Sequence, residues 1–125
     1  MPSNPAPLVL LIDDNADNRE MYETMLASSG FEVRQAENAV EALALAAVRL
    51  PAVVVTDLRM PGHVSAAELC RQFRARGVPV IALTGVGPGE EHDAMRLAGC
   101  AAILMKPLLP DQLVPEITRL LTPAR

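Results

Sequence analysis

Two continuous hydrophobic runs stand out along this chain, and carboxylates directly follow each of them. The first run covers residues 8–12 and precedes Asp13 and Asp14, and the second is an unbroken run of β-branched residues over 53–56 that precedes Asp57. A hydrophobic run without polar alternation is typical of a strand covered on both faces, as in a parallel sheet flanked by helices. The pattern therefore predicts two buried strands that carry acidic residues to one edge of a sheet, where ligands bind in open α/β folds.

Three further segments predict three more strands. Residues 80–83 and 101–105 are hydrophobic and lead directly to Thr84 and Lys106. Residues 31–36 instead alternate between hydrophobic and polar side chains. Alternation marks a strand with one face exposed to solvent, so we expect this strand at the edge of the sheet.

Helical periodicity fills the segments between these strands. The spacing predicts helices over residues 16–29 and 39–49, with Asn38 as the N-cap of the second, and further helices that begin near residues 66 and 90. The first and third helices should each bury one stripe, formed by Met21, Tyr22, Met25 and Leu26 and by Ala66, Leu69, Cys70 and Phe73.

The last helix carries a proline among its hydrophobic positions. Leu113, Ile117, Leu120 and Leu121 share one face, whereas Pro115 has no backbone N–H and would clash with the preceding turn. A proline inside a helix costs about 3 kcal/mol. The sequence therefore predicts either a kink at Pro115 or a helix that starts late, with Pro115 in its first turn.

Five strands that alternate with five helices predict an α/β fold with a single doubly wound, five-stranded parallel sheet and helices on both faces. The chain has 125 residues, half of them hydrophobic, which is enough for one core. Residues 1–7 contain three prolines and no periodicity, so we expect an irregular N-terminal lead-in there. Residues 8–122 should form one domain, because no repeat or change of composition divides them.

The composition excludes several classes of partner. A formal net charge of -4 without any basic run argues against binding of nucleic acid or of an anionic membrane. One tyrosine and two phenylalanines offer little surface on which bases could stack. Two cysteines, without a signal peptide or a long apolar span, indicate the reducing cytoplasm.

Polar groups follow four of the five predicted strands, namely Asp13 and Asp14, Asp57, Thr84 and Lys106. Taken singly, each has an ordinary explanation, since an acid can cap a helix, a threonine can close a turn and a lysine can simply be solvated. Together they form a set with matched chemistry. Three carboxylates that share a pocket repel one another and need a hard cation to stay ionised, and ligands that are all oxygens favour Mg²⁺.

The same set can hold a phosphoryl group. Three carboxylates, one divalent cation and the Lys106 ammonium give a balanced formal charge, and an acyl phosphate adds about one negative charge. Mg²⁺, Lys106 and the Thr84 hydroxyl can hold the phosphoryl oxygens, and in-line transfer needs mainly such positioning and charge stabilisation. Asp57 is the candidate nucleophile, since a carboxylate can carry a covalent phosphoryl group.

These residues occur in the same order as the motifs of a known protein family. Between Leu8 and about Leu121 the chain resembles a response-regulator receiver domain, the phosphoacceptor module of two-component systems. The resemblance rests on the acidic pair at residues 13 and 14, Asp57 within a D-L-x-M-P run, the Thr84-Gly85 pair and Lys106-Pro107.

The resemblance implies a fold, a metal and a set of roles. The strand order would be 2-1-3-4-5. Asp14, Asp57 and the backbone carbonyl of Arg59 would ligate Mg²⁺, and Asp13 would act mostly through water. Lys106 and Thr84 would contact the phosphoryl group on Asp57. The resemblance also implies a cis peptide bond between residues 106 and 107, which X-Pro sequences permit at a cost of about 0.5–1 kcal/mol.

Two features depart from the pattern of the family, and two further positions are ones that the family varies. An aromatic residue usually lies three residues before the lysine, and its movement reports phosphorylation, whereas this chain has the stiff, β-branched Ile103. The loop over residues 62–68 lacks the usual sequence and is one residue longer. Arg59 and Val86 occupy positions where the family tunes the access of water to the acyl phosphate.

The histidines and cysteines lack the spacing of metal ligands. We interpret His63 and His92 as solvated surface residues, and Cys70 and Cys100 as small core residues without a redox role.

We hypothesise that Asp57 receives a phosphoryl group from a phosphohistidine on a sensor histidine kinase or histidine phosphotransfer protein, and that this switches binding of a downstream protein. The domain would catalyse its own phosphorylation and dephosphorylation but turn over no external substrate. A receiver-like interaction module that works without phosphorylation is the alternative. A phosphatase with an aspartate nucleophile ranks last, because its second acid would stand where this chain has Arg59. The pattern leaves open the cognate kinase, the output target, the oligomeric state and whether the chain is part of a longer protein.

Overall fold

The computed structural model describes residues 6–59, 62, 64–85, 87–106 and 110–121. The five predicted strands all form within these residues. They are β1 (Leu8–Ile12), β2 (Glu32–Ala36), β3 (Val53–Asp57), β4 (Val80–Thr84) and β5 (Ala102–Met105). All neighbouring strands pair in parallel in the order β2-β1-β3-β4-β5, which confirms the predicted order and places the alternating strand at an edge.

Helices follow the strands in turn. They are α1 (Ala16–Ser28), α2 (Ala39–Val48), α3 (Ala66–Ala75), α4 (Glu90–Ala98) and α5 (Pro110–Leu121). Three of them begin at a side chain that accepts a hydrogen bond from the backbone N–H three residues later, which satisfies a donor that the first helical turn leaves without an intrahelical partner. These N-caps are Asn15, Asn38 and Ser65, of which Asn38 was predicted.

The helices cover both faces of the sheet. Because successive residues of a strand point to opposite faces, Leu10 and Leu11 of β1 belong to different hydrophobic clusters. The cluster of Leu10 includes buried residues of α2, α3 and α4, and the cluster of Leu11 includes buried residues of α1 and α5. The predicted doubly wound α/β architecture is therefore confirmed. None of the helices in the described part of the chain has the length and hydropathy to cross a bilayer.

Two predicted side-chain positions are wrong. Met21 is 54% exposed, because the buried stripe of α1 follows Tyr22 and Leu26 at a spacing of four residues and leaves Met21 on the solvent side. His92 was expected in solvent but is buried, because it shares one face of α4 with the buried Met95. All four predicted residues of the α3 stripe are buried, including Cys70.

The last helix includes Pro115 without starting late. It begins at residue 110, so the alternative that placed Pro115 in the first turn is wrong, and the kink stays a prediction. The buried face of this helix carries Leu113 and Ile117, as expected.

Several sequence predictions fall on residues outside the described part of the chain. They concern the lead-in before residue 6, the Met60-Pro61 pair, His63, Val86, the peptide bond to Pro107 and the domain end at residue 122. The division into residues 1–7 and 8–122 therefore stays a prediction.

Two glycines allow a test of the packing between α3 and α4. Gly77 and Gly99 have φ of +78° and +88°, in the left-handed region that disfavours side chains by about 1–2 kcal/mol. A Cβ on Gly77 would meet nothing within 4 Å, whereas one on Gly99 would lie 2.7 Å from the Cδ of Arg74. The Arg74 guanidinium also donates to the Gly99 carbonyl at 3.0 Å. Gly99→Ala would therefore displace a side chain that caps α4.

We expect Gly77→Ala to lower the free energy of unfolding by about 1 kcal/mol and Gly99→Ala to lower it by more. The difference should disappear in an Arg74→Ala background, because the displaced side chain is then gone. Urea denaturation measures these values for both glycine variants in each background, relative to wild type and to Arg74→Ala. Equal losses at both glycines in the wild-type background would contradict the proposed contact.

Candidate functional site

Three carboxylates meet at the carboxyl edge of the sheet. The neighbouring strands β1 and β3 are in register, with Ile12 opposite Thr56, so the residues that follow come together. One oxygen atom of Asp13, of Asp14 and of Asp57 can be chosen so that all three lie within 4.8 Å of one another. Asp13 is buried and Asp14 is exposed. The sequence prediction that these acids share a pocket is thus matched by their placement.

Backbone and side-chain hydrogen bonds hold Asp13 in position. Its backbone N–H donates to the Ala36 carbonyl at 3.1 Å, and its Oδ1 accepts from the Asn15 N–H at 2.9 Å. The Arg19 guanidinium donates to the Asp13 carbonyl at 2.7 Å and to Gln35 Oε1 at 3.1 Å. Arg19 was not singled out from the sequence, because nothing in the pattern of α1 distinguishes it from other polar helical residues.

Lys106 brings a positive charge to the acids from the end of β5. Its backbone N–H donates to the Thr84 carbonyl at 2.7 Å, which extends the β4–β5 pairing by one residue. The ammonium forms an ion pair with Oδ1 of Asp57 and lies 3.7 Å from Oδ2 of Asp13. The side chain is 24% exposed, so this contact is largely shielded from water. A single ammonium therefore serves two carboxylates.

An open cleft of about 370 Å³ lies above this cluster. Thr84, the last residue of β4, is buried at its wall. The cleft is lined by Asp14, Asp57, Arg59, Leu83, Thr84, Gly85 and Lys106. Four of the five residues that the sequence assigned to this chemistry, Asp14, Asp57, Thr84 and Lys106, therefore border one space. The ligand role of the Arg59 carbonyl stays a prediction.

Burial and neighbouring charges shift the acidity of the central pair. Burial raises the pKa of Asp57 to about 6, and the charge of Asp13 adds to the rise, although the hydrogen bond with Lys106 opposes it. For Lys106, burial alone would lower the pKa, but the hydrogen bond and charge of Asp57 and the charge of Asp13 outweigh it, so the pKa is raised. Burial therefore dominates the shift of Asp57, whereas the two neighbouring carboxylates account for the shift of Lys106.

Tyr22 lies within the electrostatic reach of this site. Burial raises the pKa of its phenol, the charge of Lys106 lowers it, and the charges of Asp13 and Asp57 raise it. The sequence assigned Tyr22 only to the buried stripe of α1. The influence of these charges on the phenol could not be predicted, because the spacing of a helical stripe does not show which charges the end of a side chain approaches.

The donor set suits a small divalent cation. Three carboxylates face one ammonium, which leaves two formal negative charges in the cluster. All the donors are oxygens, and the cluster is open to the cleft through Asp14. Hard oxygen ligands at a partly open site match the preference of Mg²⁺, which retains several waters in proteins. The residues present therefore fit this ion.

Comparison with known proteins identifies the family. The family model described as the response regulator receiver domain matches residues 9–118. The chain belongs to the response regulator receiver domain family. Receiver domains are typically non-enzymatic modules of two-component signalling that interact with histidine kinases or phosphotransfer proteins. They bind Mg²⁺ at an acidic pocket, and Asp13, Asp14 and Asp57 form such a group here.

Curated relatives are named response regulators. The polar-differentiation response regulator DivK of Brucella anthropi is 30% identical over 104 residues, which cover 80% of this receiver domain chain and 84% of DivK. Response regulator Rre1 of Synechocystis is 36% identical over 117 residues, and response regulator MprA of a Mycobacterium species is 35% identical over 115 residues. The chain spans 84% of DivK but only about half of Rre1 and MprA.

Solved receiver structures share the fold. Chemotaxis protein CheY4 of Vibrio cholerae superposes with a TM-score of 0.83 at 28% identity and covers 92% of this chain and 98% of its own. A CheY-like receiver domain protein of Methanospirillum hungatei superposes with a TM-score of 0.86 at 26% identity, over 93% of this chain and 94% of its own.

The raised pKa of Asp57 makes stability depend on pH. Between about pH 4 and pH 6 the folded protein binds more protons at this carboxyl than the unfolded chain does. The contribution of Asp57 to the free energy of unfolding therefore falls as pH rises through that range, and it stays low above it.

We expect Asp57→Asn to raise the free energy of unfolding by about 1–2 kcal/mol at pH 7 in metal-free buffer, because the variant removes a desolvated charge that Asp13 repels. The gain should shrink towards pH 4, where the carboxyl of the folded wild type is protonated and no longer places a desolvated charge beside Asp13. Urea denaturation at several pH values in EDTA measures the gain. A gain that is the same at pH 4 and pH 7 would exclude Asp57 as its titrating source.

Proposed function

We propose that this receiver domain accepts a phosphoryl group on Asp57 from a phosphohistidine of a sensor histidine kinase or histidine phosphotransfer protein, with Mg²⁺ bound, and that phosphorylation switches the binding of a downstream protein. The observation that supports this most directly is the meeting of Asp57 with Lys106, Asp13 and Asp14 beside one open cleft. The free thiols of Cys70 and Cys100 agree with a cytoplasmic setting.

The transfer makes and breaks one bond to phosphorus. An oxygen of the Asp57 carboxylate attacks the phosphorus, the bond from phosphorus to the imidazole nitrogen breaks, and the nitrogen keeps the electron pair. The product is an acyl phosphate on Asp57. The attacking oxygen must be ionised, and a pKa of about 6 leaves Asp57 mostly ionised at neutral pH.

The surrounding residues hold the phosphoryl group and its charge. The ammonium of Lys106 already contacts Asp57, so it is placed to donate to an oxygen of the new group. Thr84 lines the same cleft and can donate its hydroxyl to another oxygen. Asp13, Asp14, Asp57 and the Arg59 carbonyl would hold Mg²⁺, which supplies positive charge to the phosphoryl oxygens.

The route from phosphorylation to output is the least ordinary part of this domain. Ile103 on β5 is partly buried and packs against the cluster that includes α3 and α4. A β-branched side chain in that position has few rotamers, so it cannot make the large rotation that an aromatic residue makes there in the family. A receiver-like module that works without phosphorylation is less well supported, because such a module has no need for the lysine and the three acids in one cluster.

Acetyl phosphate tests the phosphoacceptor. Wild-type protein incubated with acetyl phosphate and Mg²⁺ should gain the mass of one phosphoryl group, because the cleft can position a small donor beside Asp57. Asp57→Asn should gain none. Asp93→Asn is the matched control, since Asp93 is a well-exposed acid that pairs with Arg96 on α4. Intact-mass spectrometry follows the adduct, and an adduct on Asp57→Asn would assign the phosphoryl group elsewhere.

Lys106→Ala tests the role of the ammonium. Tetrahedral beryllofluoride stands in for the phosphoryl group, and a hydrogen bond to a charged group contributes about 1.5–3 kcal/mol. We therefore expect the variant to bind beryllofluoride at least about tenfold more weakly while it still folds and binds Mg²⁺. Titration by fluorine NMR measures the affinity. Unchanged affinity would remove Lys106 from the phosphoryl site.

A further inference from the structure

Arg59 occupies the junction between two clefts. It lies two residues after Asp57 and lines the cleft that contains Asp57, Thr84 and Lys106. It also lines a second cleft, whose other walls are residues 87–92, the loop before α4 and the first turn of that helix. One residue therefore borders both the candidate phosphoryl site and the start of α4.

An exposed ion pair joins Arg59 to that helix. Nε of Arg59 donates to Oε1 of Glu91 at 3.0 Å, and the two side chains are 67% and 45% exposed. An exposed pair of this kind contributes about 0–1 kcal/mol, because water and salt screen its charges. The Arg59–Glu91 pair is thus a contact between the end of β3 and α4 that a stronger anion can replace.

Phosphorylation supplies such an anion. With Mg²⁺ bound, the three carboxylates and Lys106 are balanced in formal charge, and an acyl phosphate on Asp57 adds about one negative charge. A guanidinium binds phosphoryl oxygens with two parallel hydrogen bonds, a geometry that an ammonium cannot reproduce. Arg59 and Lys106 are the two basic residues that line the cleft, and Lys106 already contacts two carboxylates. Arg59 is therefore the cation that remains to meet the extra charge.

Glu91 can tolerate the loss of its partner. It lies in the first turn of α4, where the partial positive charge of the helix N-terminus stabilises a carboxylate. The same turn contains His92, which is buried and shares a face with Met95. The helix therefore stays anchored by its hydrophobic side when the ion pair at its rim opens.

We propose that Arg59 exchanges partners, pairing with Glu91 in the unphosphorylated domain and with the phosphoryl group on Asp57 after transfer. The inference rests on the proposed function, because it needs a phosphoryl group at that position. The exchange changes the surface of the first turn of α4, where Glu91 loses its cation. It provides an output route that does not depend on the movement of Ile103.

A double-mutant cycle tests the exchange through the affinity for beryllofluoride at saturating Mg²⁺. Glu91→Gln removes the competing partner, so it should tighten binding by about 2- to 5-fold. Arg59→Gln removes the guanidinium, so it should weaken binding by about tenfold. In the Arg59→Gln background, Glu91→Gln should have no effect, because no arginine remains to be released.

Glu90→Gln is the matched control. It removes the same formal charge from the same helical turn, but it leaves the Arg59–Glu91 pair in place. If removal of charge near the anion were the whole effect, Glu90→Gln would tighten binding as much as Glu91→Gln, and both effects would persist without Arg59. That pattern would overturn the exchange.

The Nε–H resonance of Arg59 gives a second readout, and its absence from the Arg59→Gln spectrum assigns it. Beryllofluoride should shift this resonance in the wild type, because Nε leaves the Glu91 carboxylate. In Glu91→Gln the resonance should already differ before the anion is added.

The two possible failures are distinguishable. If wild-type protein binds beryllofluoride and takes up a phosphoryl group while Arg59→Gln binds with unchanged affinity, the exchange is wrong and the phosphoacceptor function stands. If wild-type protein forms no adduct and binds no beryllofluoride, the proposed function itself is wrong, and the exchange falls with it.

Discussion

The contact between Lys106 and Asp57 is the interaction on which the arrangement of this site depends. It joins the ends of β5 and β3 across β4, and it holds an ammonium against carboxylates that repel one another. Burial makes the repulsion costly, as the raised pKa of Asp57 indicates. The parallel register of the strands brings these groups to one edge, so the sheet and the chemistry of the cleft share a single geometric cause.

The residues predicted from the sequence are those whose position follows from a local pattern. Continuous hydrophobic runs predicted β1, β3, β4 and β5, and alternation placed β2 at the sheet edge. Both predictions work because successive side chains of a strand point to opposite faces of the sheet. The acids and Lys106 could be assigned to one side of the sheet, since each directly follows a strand. Asn38 was predictable as an N-cap from its residue type and its place before a helix.

Other features depend on contacts between segments that are distant in the sequence, and the spacing of residues along the chain does not predict such contacts. The Arg59–Glu91 pair joins residues 32 positions apart, and Arg19 reaches the Asp13 carbonyl from the side of a helix. The prediction that Met21 is buried was wrong because neighbouring residues of α1 could all form its buried stripe. In the folded domain, Tyr22 and Leu26 are the residues that pack against the core. His92 was misplaced because a polar residue type outweighed its spacing from Met95.

Lys106 is the only lysine in the sequence, and it lies between Asp13 and Asp57. Acylation of lysine side chains in this chain can therefore neutralise just one ammonium, the one that balances the acidic pocket. The raised pKa of Lys106 keeps its amine protonated and thus poorly nucleophilic. The pocket that most needs this positive charge also protects it from chemical modification.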